Sequence, residues 1–228
     1  MAATRDLDQI RRTPAYTFGE AAHYLRLPLS TLRAWCLGQQ KFRGVIRLDG
    51  KRGEGPSFLN LVEAHVLAAI RRVHGVPMHE VRPALAYVQK ELGIHRPLAD
   101  AKFETDGVSL FVEKIGQLVN VSKGGQLAIA ELLGTYLKRV ERDTRGIPIK
   151  LFPFTGKSTT PDTPTPVEIN PTVAFGRPVL RDRGIATAIL ADRFKGGDTF
   201  AELAADYDVA QEEIEEAIRV ELYNRDAA

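Results

Sequence analysis

The 228-residue sequence has a single cysteine, Cys36, and no apolar run as long as the roughly 20 residues of a membrane-spanning helix. One thiol cannot form an internal disulfide, which excludes the disulfide-stapled class of small secreted domains. The N-terminal residues carry charges of both signs and lack the apolar core of a signal peptide. We therefore expect a cytoplasmic protein with no membrane partner.

Catalytic and metal-binding motifs are also missing from the sequence. The five histidines show no metal-ligand spacing with the cysteine. Residues 156–159 are Gly-Lys-Ser-Thr, but they lack the preceding glycine of a phosphate-binding loop and lie in a Thr/Pro-rich stretch. We expect a protein that is not an enzyme and that holds no metal and no cofactor.

The net charge of +2 is distributed unevenly along the chain. Residues 1–60 contain ten lysines and arginines and five acidic residues, whereas residues 198–228 contain two arginines and ten acidic residues. A basic region attracts polyanions such as nucleic acid, and an acidic region repels them. The two ends are therefore expected to bind different partners.

The Thr/Pro-rich stretch at residues 155–168 predicts an extended linker, because it has too few large apolar side chains to form a core. We predict an N-terminal tail (1–14), a winged helix-turn-helix (15–96), a small α/β middle segment (97–154), this linker, and a C-terminal domain (169–228). The expected fold class is mainly α with a small antiparallel β part. The C-terminal domain is expected to be a three-helix unit like a helix-turn-helix.

Residues 15–60 show the pattern of two short helices followed by a hairpin. Apolar residues recur at i, i+3, i+4 and i+7 from Phe18, and Thr17 is a favourable N-cap. A second helix is expected to end at Gly38. Asp49-Gly50 follows a β-prone run and predicts a hairpin, the wing. The second helix is expected to bury Leu29, Leu32, Trp35 and Cys36.

The middle segment changes its pattern. Val108, Leu110 and Val112 alternate along the chain, which predicts a small antiparallel sheet with turns at 106–107 and 115–116. Residues 126–144 predict an amphipathic helix, and residues 146–154 predict a last strand or an extended segment.

The first two helices have the residues that DNA binding requires. A recognition helix enters the major groove by its N-terminal residues, and neighbouring cations contact the phosphates. The alternative is an ordinary solvated surface on a helix-turn-helix that is purely structural or binds protein. The predicted DNA-binding residues are Ser30, Thr31 and Arg33 on the second helix, and Lys41, Arg43, Arg47, Lys51 and Arg52 around the wing.

The stretch YTFGEAAHYLRLPLSTLRAW, residues 16–35, resembles the DNA-binding domain of the MerR family. The resemblance implies that Leu32 and Arg33 lie in the recognition helix and that the arginine contacts phosphate. The sequence departs from the family at Ala34-Trp35, where the family has an aromatic pair. It also lacks the long coiled coil and the effector site that usually follow, so the resemblance does not imply metal sensing.

The C-terminal residues predict three helices. Thr187 is expected to cap the first helix, and Thr199 with Glu202 forms the capping-box pattern of the second. The last helix carries Glu212, Glu213, Glu215 and Glu216, which phosphates would repel. We expect this helix to serve dimerisation or protein binding rather than DNA reading; the alternative is a solvated acidic face.

Residues 169–222, which begin INPTVAFGRPVLRDRG, resemble a small domain-of-unknown-function family found in antitoxins of PIN-domain ribonuclease toxins. A MerR-like N-terminal region followed by this C-terminal domain is the domain order of the larger VapB-type antitoxins, which the whole chain therefore resembles. The resemblance implies an antitoxin that neutralises a PIN-domain ribonuclease by direct binding. It also implies an autorepressor that binds operator DNA as a homodimer.

The lead-in to the C-terminal helices presents several arginines on a segment stiffened by proline. A PIN-domain nuclease holds acidic residues around a divalent metal, and the arginine fork pairs with carboxylates. Two alternatives are open: Arg177 pairs internally with Asp192 or Glu202, or the arginines contact DNA phosphate. The predicted toxin-binding residues are Arg177, Pro178, Arg181 and Arg183.

Two other functions fit the same sequence. One is a stand-alone MerR-like transcription regulator with no toxin, whose middle segment binds a small ligand. The other is a scaffold with no affinity for DNA.

Overall fold

The computed structural model describes residues 2–39, 42–51, 53–72, 76–119, 122–156 and 159–222, and the predicted DNA contacts Lys41 and Arg52 lie outside these ranges. The first five helices are α1 (Ala2–Arg12), α2 (Phe18–Tyr24), α3 (Leu29–Leu37), α4 (Phe58–Arg72) and α5 (Met78–Leu92). The residues predicted as a tail thus form α1, which packs against α4.

The middle segment contains α6 (Val108–Val119) and α7 (Lys123–Leu137), preceded by a 3₁₀ turn at Pro97–Ala99 and a π-helical turn at Phe103–Gly107. The prediction of a sheet around Val108, Leu110 and Val112 is therefore wrong. These residues form a helix because Phe111, Val112 and Ile115 then share one face, which is buried. The amphipathic helix predicted over residues 126–144 is confirmed as α7 up to Leu137, whereas its predicted end is wrong, because residues 140–142 form a strand.

Four short strands form one antiparallel sheet in the order β1 (Val140–Arg142), β2 (Pro148–Leu151), β3 (Val167–Ile169) and β4 (Pro178–Leu180). The strands align with Leu151 opposite Val140 and Ile169, and Ile169 opposite Pro178. Of the two alternatives predicted for residues 146–154, the strand is present as β2, but it is not the last strand, because β3 and β4 follow it. The small antiparallel part of the predicted fold class is present, but it joins the middle segment to the C-terminal residues.

Residues within the predicted linker are held by the buried side chain of Arg139. Its guanidinium donates to the carbonyl oxygens of Phe152 at 3.1 Å and of Thr163 at 2.6 Å. It also lies over the Phe154 ring, with the guanidinium carbon 3.9 Å from the ring centroid. These contacts position the chain between β2 and β3, so that the last residues of the Thr/Pro-rich stretch enter the sheet.

The C-terminal helices are α8 (Thr187–Lys195), α9 (Phe200–Tyr207) and α10 (Gln211–Glu221). The capping box of Thr199 and Glu202 is confirmed, with Thr199 Oγ1 accepting from the Glu202 amide at 3.2 Å. Thr187 does not cap α8. Ala186 is the N-cap, and the Thr187 hydroxyl instead contacts the Glu221 carboxylate and lies 3.2 Å from the Pro178 carbonyl. These contacts tie the start of α8 to α10 and β4.

The fold class predicted from the sequence is confirmed as mainly helical with a small antiparallel sheet and an N-terminal helix-turn-helix. None of the described helices has the length and apolar character to cross a membrane.

Candidate DNA-binding and partner-binding surfaces

The helix-turn-helix is built by α2 and α3. Thr17 Oγ1 accepts from the Glu20 amide at 3.1 Å, and the Glu20 carboxylate accepts from the Thr17 amide at 2.7 Å, which completes a capping box at the start of α2. The turn places Arg26 at a φ of 53° before Pro28 leads into α3. This geometry fixes the direction in which α3 leaves the turn.

One face of α3 is buried and the opposite face is open. Leu32, Trp35 and Cys36 are buried as predicted, whereas Leu29 is 45% exposed and does not face inward. Ser30 and Arg33 are exposed and Thr31 is half-buried. The predicted DNA-binding residues of this helix therefore lie on or at the edge of its accessible face.

Arg33 lies over Phe18 at the start of α2, with its guanidinium carbon 5.9 Å from the ring centroid. Among the described residues, no carboxylate lies within ion-pair distance of the side chains of Arg33, Arg43, Arg47 or Lys51. Exposed cations without a neutralising partner remain free to bind phosphate. This surface therefore has the charge that the predicted DNA contact requires.

The predicted wing hairpin is wrong for the described part of residues 39–57, which holds no strand and only isolated bridges, from Gln39 to Phe42 and from Ser57 to Pro14. The Asp49 carboxylate accepts from Ser57 Oγ at 2.6 Å and from Arg96 at 2.7 Å. The Arg47 carbonyl accepts from Asn60 Nδ2 at 2.9 Å. A side chain from the start of α4 thus binds the Arg47 carbonyl, a backbone group that a hairpin would have paired with the opposite strand.

Beneath this segment lies a buried ionic cluster of Asp49, Glu63 and Arg96. The Arg96 guanidinium is 3.5 Å from Glu63 Oε2, which also accepts from Asn60 Nδ2 at 3.0 Å. Burial raises the pKa of the Glu63 carboxyl to about 7, although the charge of Arg96 opposes the rise. The cluster anchors the loop that carries Arg47 and Lys51, a role that no local sequence pattern signals.

A cleft of about 400 Å³ lies between α3 and the start of α5. It is lined by Thr31, Trp35, Phe42 and Arg82, among others. The Arg82 guanidinium donates to the Arg43 carbonyl and lies over the Phe42 ring. Arg82 therefore supports the backbone of a predicted DNA contact, and the sequence analysis did not identify it.

The C-terminal residues dock on the helix-turn-helix next to the N-terminus of α2. The Tyr16 hydroxyl donates to the Gly176 carbonyl at 2.9 Å, and Arg177 pairs with Glu20 at 2.8 Å. The Arg26 guanidinium donates to the Arg219 carbonyl at 3.3 Å. We call the contacts of Tyr16 and Glu20 with Gly176 and Arg177 the joint. Arg177 thus pairs internally, but with Glu20 rather than with Asp192 or Glu202.

The four predicted toxin-binding residues are not equally accessible. Pro178 is buried at the start of β4 and presents no surface, and Arg177 is half-buried in the joint. Arg181 and Arg183 are exposed. Arg181 donates to Thr165 Oγ1 at 2.7 Å and lies over the Phe152 ring, and Arg183 donates to the Asp208 carbonyl at 3.1 Å.

The carboxylates of α10 are partly used within the domain. Glu213 accepts from the Ala210 amide at 3.2 Å, Glu215 accepts from Gln211 at 2.8 Å, and Glu216 contacts Thr155 and Arg219. Glu212 is exposed. The helix therefore keeps an acidic surface, and the expectation that it does not read DNA stays a prediction.

Comparison with known proteins covers both ends of the chain. Residues 14–85 match a family described as "Putative DNA-binding HTH domain", and residues 167–219 match one described as "Protein of unknown function (DUF433)". Over 246 residues the chain is 28% identical to "Putative antitoxin VapB45" of Mycobacterium tuberculosis strain H37Rv, covering 96% of this chain and 98% of that protein. The chain resembles a VapB-type antitoxin over almost its whole length.

A solved structure shows the same overall likeness. The X-ray crystal structure of Rv2018 from Mycobacterium tuberculosis superposes with a TM-score of 0.70 at 26% identity, over 90% of this chain and 98% of that one. The predicted resemblance to VapB-type antitoxins is thus confirmed, and the similarities support an antitoxin-like regulatory protein with a DNA-binding helix-turn-helix. The MerR likeness, the PIN-domain toxin, the repressor role and the dimer stay predictions.

Proposed function

We propose that this protein is a cytoplasmic antitoxin that binds and neutralises a PIN-domain ribonuclease toxin and represses its own operon by binding operator DNA. The observation that carries the proposal is the separation of two surfaces on a chain similar to an antitoxin along its length. One surface presents unneutralised cations beside α3, and the other presents Arg181 and Arg183 at the end of β4.

The DNA-binding half of the proposal is supported by α3 and its neighbours. Ser30 and Arg33 are exposed on the N-terminal half of this helix, the part that reaches base edges in helix-turn-helix proteins. Arg43, Arg47 and Lys51 are exposed on the following segment. Cations in this arrangement bind the phosphates on either side of the groove that α3 enters.

The toxin-binding half is supported by the two exposed arginines. Arg181 is held by Thr165 and by the Phe152 ring, so that its guanidinium has a fixed direction before a partner arrives. Arg181 also lies 3.4 Å from the Asp182 carboxylate, an exposed pair that water screens, and Arg183 has no ion pair among the described residues. A PIN-domain nuclease gathers carboxylates around its metal, and these would accept the arginine forks. The buried Pro178 and the paired Arg177 then stabilise the conformation of the chain that leads into Arg181 and Arg183.

A homodimer on a palindromic operator completes the proposal, because two-fold symmetric proteins match two-fold symmetric half-sites. Toxin that bridges two dimers would raise the affinity for DNA by increasing the effective concentration of the second dimer.

The test is growth after expression of the short open reading frame adjacent to this gene, alone and together with this protein. We expect growth arrest that co-expression relieves, and a shift of the upstream DNA by the purified protein. Arrest that co-expression does not relieve, or no arrest, would reject the antitoxin role. Absence of DNA binding at low salt would reject the repressor role and favour a scaffold.

A stand-alone regulator is the second candidate, and one cleft favours it. The cleft has a volume of about 170 Å³ and lies where α1 meets Ala99–Ala101 and the loop between β1 and β2. Arg11, Arg12, Arg96 and Arg145 line it, which suits a small anion. However, each of these arginines pairs with a carboxylate, such as Arg145 with Asp8 at 2.9 Å. An increase in melting temperature with a small phosphorylated ligand would favour this candidate.

A further inference from the structure

Phe175 is the most exposed large apolar side chain among the described residues, with 93% of its surface accessible. It lies in the loop between β3 and β4, which we call the aromatic tip (residues 170–177). Scattered apolar side chains at a surface are ordinary, but a phenylalanine with almost no contact to its own chain is not.

The backbone holds Phe175 outward in an unfavourable conformation. The φ angles of Ala174, Phe175 and Gly176 are 46°, 54° and 76°, all in the left-handed region. For a residue with a Cβ, this region costs roughly 1–2 kcal/mol. Such strain persists only where surrounding contacts impose it, and it is concentrated at functional sites.

Hydrogen bonds fix the aromatic tip at both ends. At the first end the Asn170 side chain accepts from the Thr172 amide at 2.9 Å. At the other end the Gly176 amide donates to the Val173 carbonyl at 2.8 Å, and the Gly176 carbonyl accepts from the buried Tyr16 hydroxyl. The phenyl ring is therefore presented by a rigid support, which limits the entropy lost when a partner covers it.

The charges around the aromatic tip fit a protein partner better than DNA. The cation next to it in sequence, Arg177, is neutralised by Glu20 at 2.8 Å. A wedge that enters a DNA groove needs several free cations beside it to bind phosphate. Near the tip, Arg177 is neutralised and Arg181 lies 3.4 Å from the Asp182 carboxylate, which leaves Arg183 as the one nearby arginine without an ion pair among the described residues. Aromatic residues, phenylalanine among them, are enriched in the buried cores of protein interfaces, so an exposed and rigidly held phenylalanine suits an anchor residue.

The aromatic tip also adjoins the exposed arginines. A Cβ placed on Gly184 would lie 3.8 Å from Val173 Cγ1, so the turn that carries Arg183 packs against the base of the tip. The apolar ring and the cationic turn therefore belong to one continuous surface.

We propose that Phe175 is the hydrophobic anchor of the toxin-binding surface and enters an apolar pocket on the nuclease next to the acidic residues that Arg181 and Arg183 contact. This inference rests on the proposed antitoxin function and names the contact that would give the complex its affinity. It explains why the chain keeps a strained, solvent-exposed phenylalanine.

The test measures binding of the purified full-length protein to the nuclease encoded by the adjacent open reading frame. We expect Phe175→Ala to weaken binding at least 30-fold and Phe175→Leu to weaken it less than fivefold. Leu127→Ala, which removes a 62% exposed side chain from α7, is the matched control and should leave binding unchanged. Phe175→Gly should bind as weakly as Phe175→Ala without a lower melting temperature, because glycine relieves the strain.

Equal binding by wild type and Phe175→Ala would overturn the inference and leave the antitoxin function standing. The inference would also fail if Phe175→Ala abolished self-association or DNA binding while toxin binding persisted, since the tip would then contact a second copy or DNA. If the wild-type protein does not bind the nuclease, the proposed function fails and the inference fails with it.

Discussion

The cations beside α3 and the arginines near β4 are chemically alike but have different surroundings. Arg33, Arg43, Arg47 and Lys51 are exposed and have no carboxylate within ion-pair distance among the described residues. Near β4, Glu20 neutralises the half-buried Arg177, and the exposed Arg181 lies 3.4 Å from the carboxylate of Asp182, which is also exposed. Neutralisation distinguishes a cation that is free to bind phosphate from one that holds the protein together.

The same difference separates residues within the C-terminal segment itself. Arg177 contributes to the joint. Arg181 and Arg183 follow the end of β4, and their hydrogen bonds fix the orientation of their guanidinium groups. Positions in sequence do not reveal this division, because Glu20 lies 157 residues before Arg177.

The largest effect is expected on DNA binding. The triple variant Arg43→Ala, Arg47→Ala, Lys51→Ala should lower affinity for the upstream DNA about 1,000-fold, because three charge-assisted phosphate contacts are lost. The slope of log K against log salt concentration should become shallower by about 3. Fluorescence anisotropy across a salt series measures both quantities.

The control for this variant is Lys195→Ala, which removes an exposed lysine that already pairs with Asp192 at 3.3 Å. It should leave the salt slope unchanged. A triple variant with the slope of the wild type would show that the unneutralised cations do not contact phosphate.

The next effect is expected on toxin binding. Replacing Arg181 and Arg183 together by alanine should weaken nuclease binding about 100-fold, because two charge-assisted hydrogen bonds are lost. The double lysine variant should recover part of the loss, since charge is kept and the planar fork is not. Inhibition of nuclease activity is the measurement. Unchanged inhibition in the alanine variant would remove these arginines from the interface.

Local hydrogen bonds account for what the sequence analysis predicted correctly. The caps at Thr17 and Thr199 and the helix end at Gly38 depend on residues within four positions of one another. The buried face of α3 followed from its helical periodicity, with the exception of Leu29 at its first turn. These features could be predicted because each depends on a short stretch of chain.

Distant contacts account for what could not be predicted. Asp49-Gly50 has the pattern of a hairpin turn, but Arg96, which is 47 residues away, binds the aspartate. β3 begins at the end of the Thr/Pro-rich stretch and becomes a strand because β2 and β4 supply partners on both sides. The accessibility of Arg181 and the burial of Pro178 depend on the same sheet. No window of local sequence contains these partners.

The buried ionic cluster of Asp49, Glu63 and Arg96 should make the free energy of unfolding depend on pH. The pKa of Glu63 is raised from 4.5 to about 7 by burial, so the carboxyl is protonated more readily in the folded state. The folded state therefore loses stability as pH rises from about 4.5 to about 7, and the loss is complete above that range. Above pH 7, Glu63→Gln should be more stable than wild type by on the order of 2 kcal/mol.

Urea unfolding of both proteins between pH 4 and pH 8 measures this difference. The two stabilities should converge near pH 4, where the carboxyl is protonated in both the folded and the unfolded states. A constant difference across the range would show that Glu63 does not titrate between these limits.

The smallest effect is expected at the joint. Glu20 and Arg177 are about one-third exposed, with side-chain accessibilities of 33% and 39%, so water screens their attraction. A double-mutant cycle of Glu20→Gln and Arg177→Gln should give a coupling of about 0.5–1 kcal/mol in the free energy of unfolding. If Arg177 instead bound the toxin directly, Arg177→Gln would weaken nuclease binding as strongly as loss of Arg181, with no coupling to Glu20. Because the pair joins α2 to the segment before β4, a measurable coupling would show that this ion pair helps to hold the C-terminal residues on the helix-turn-helix.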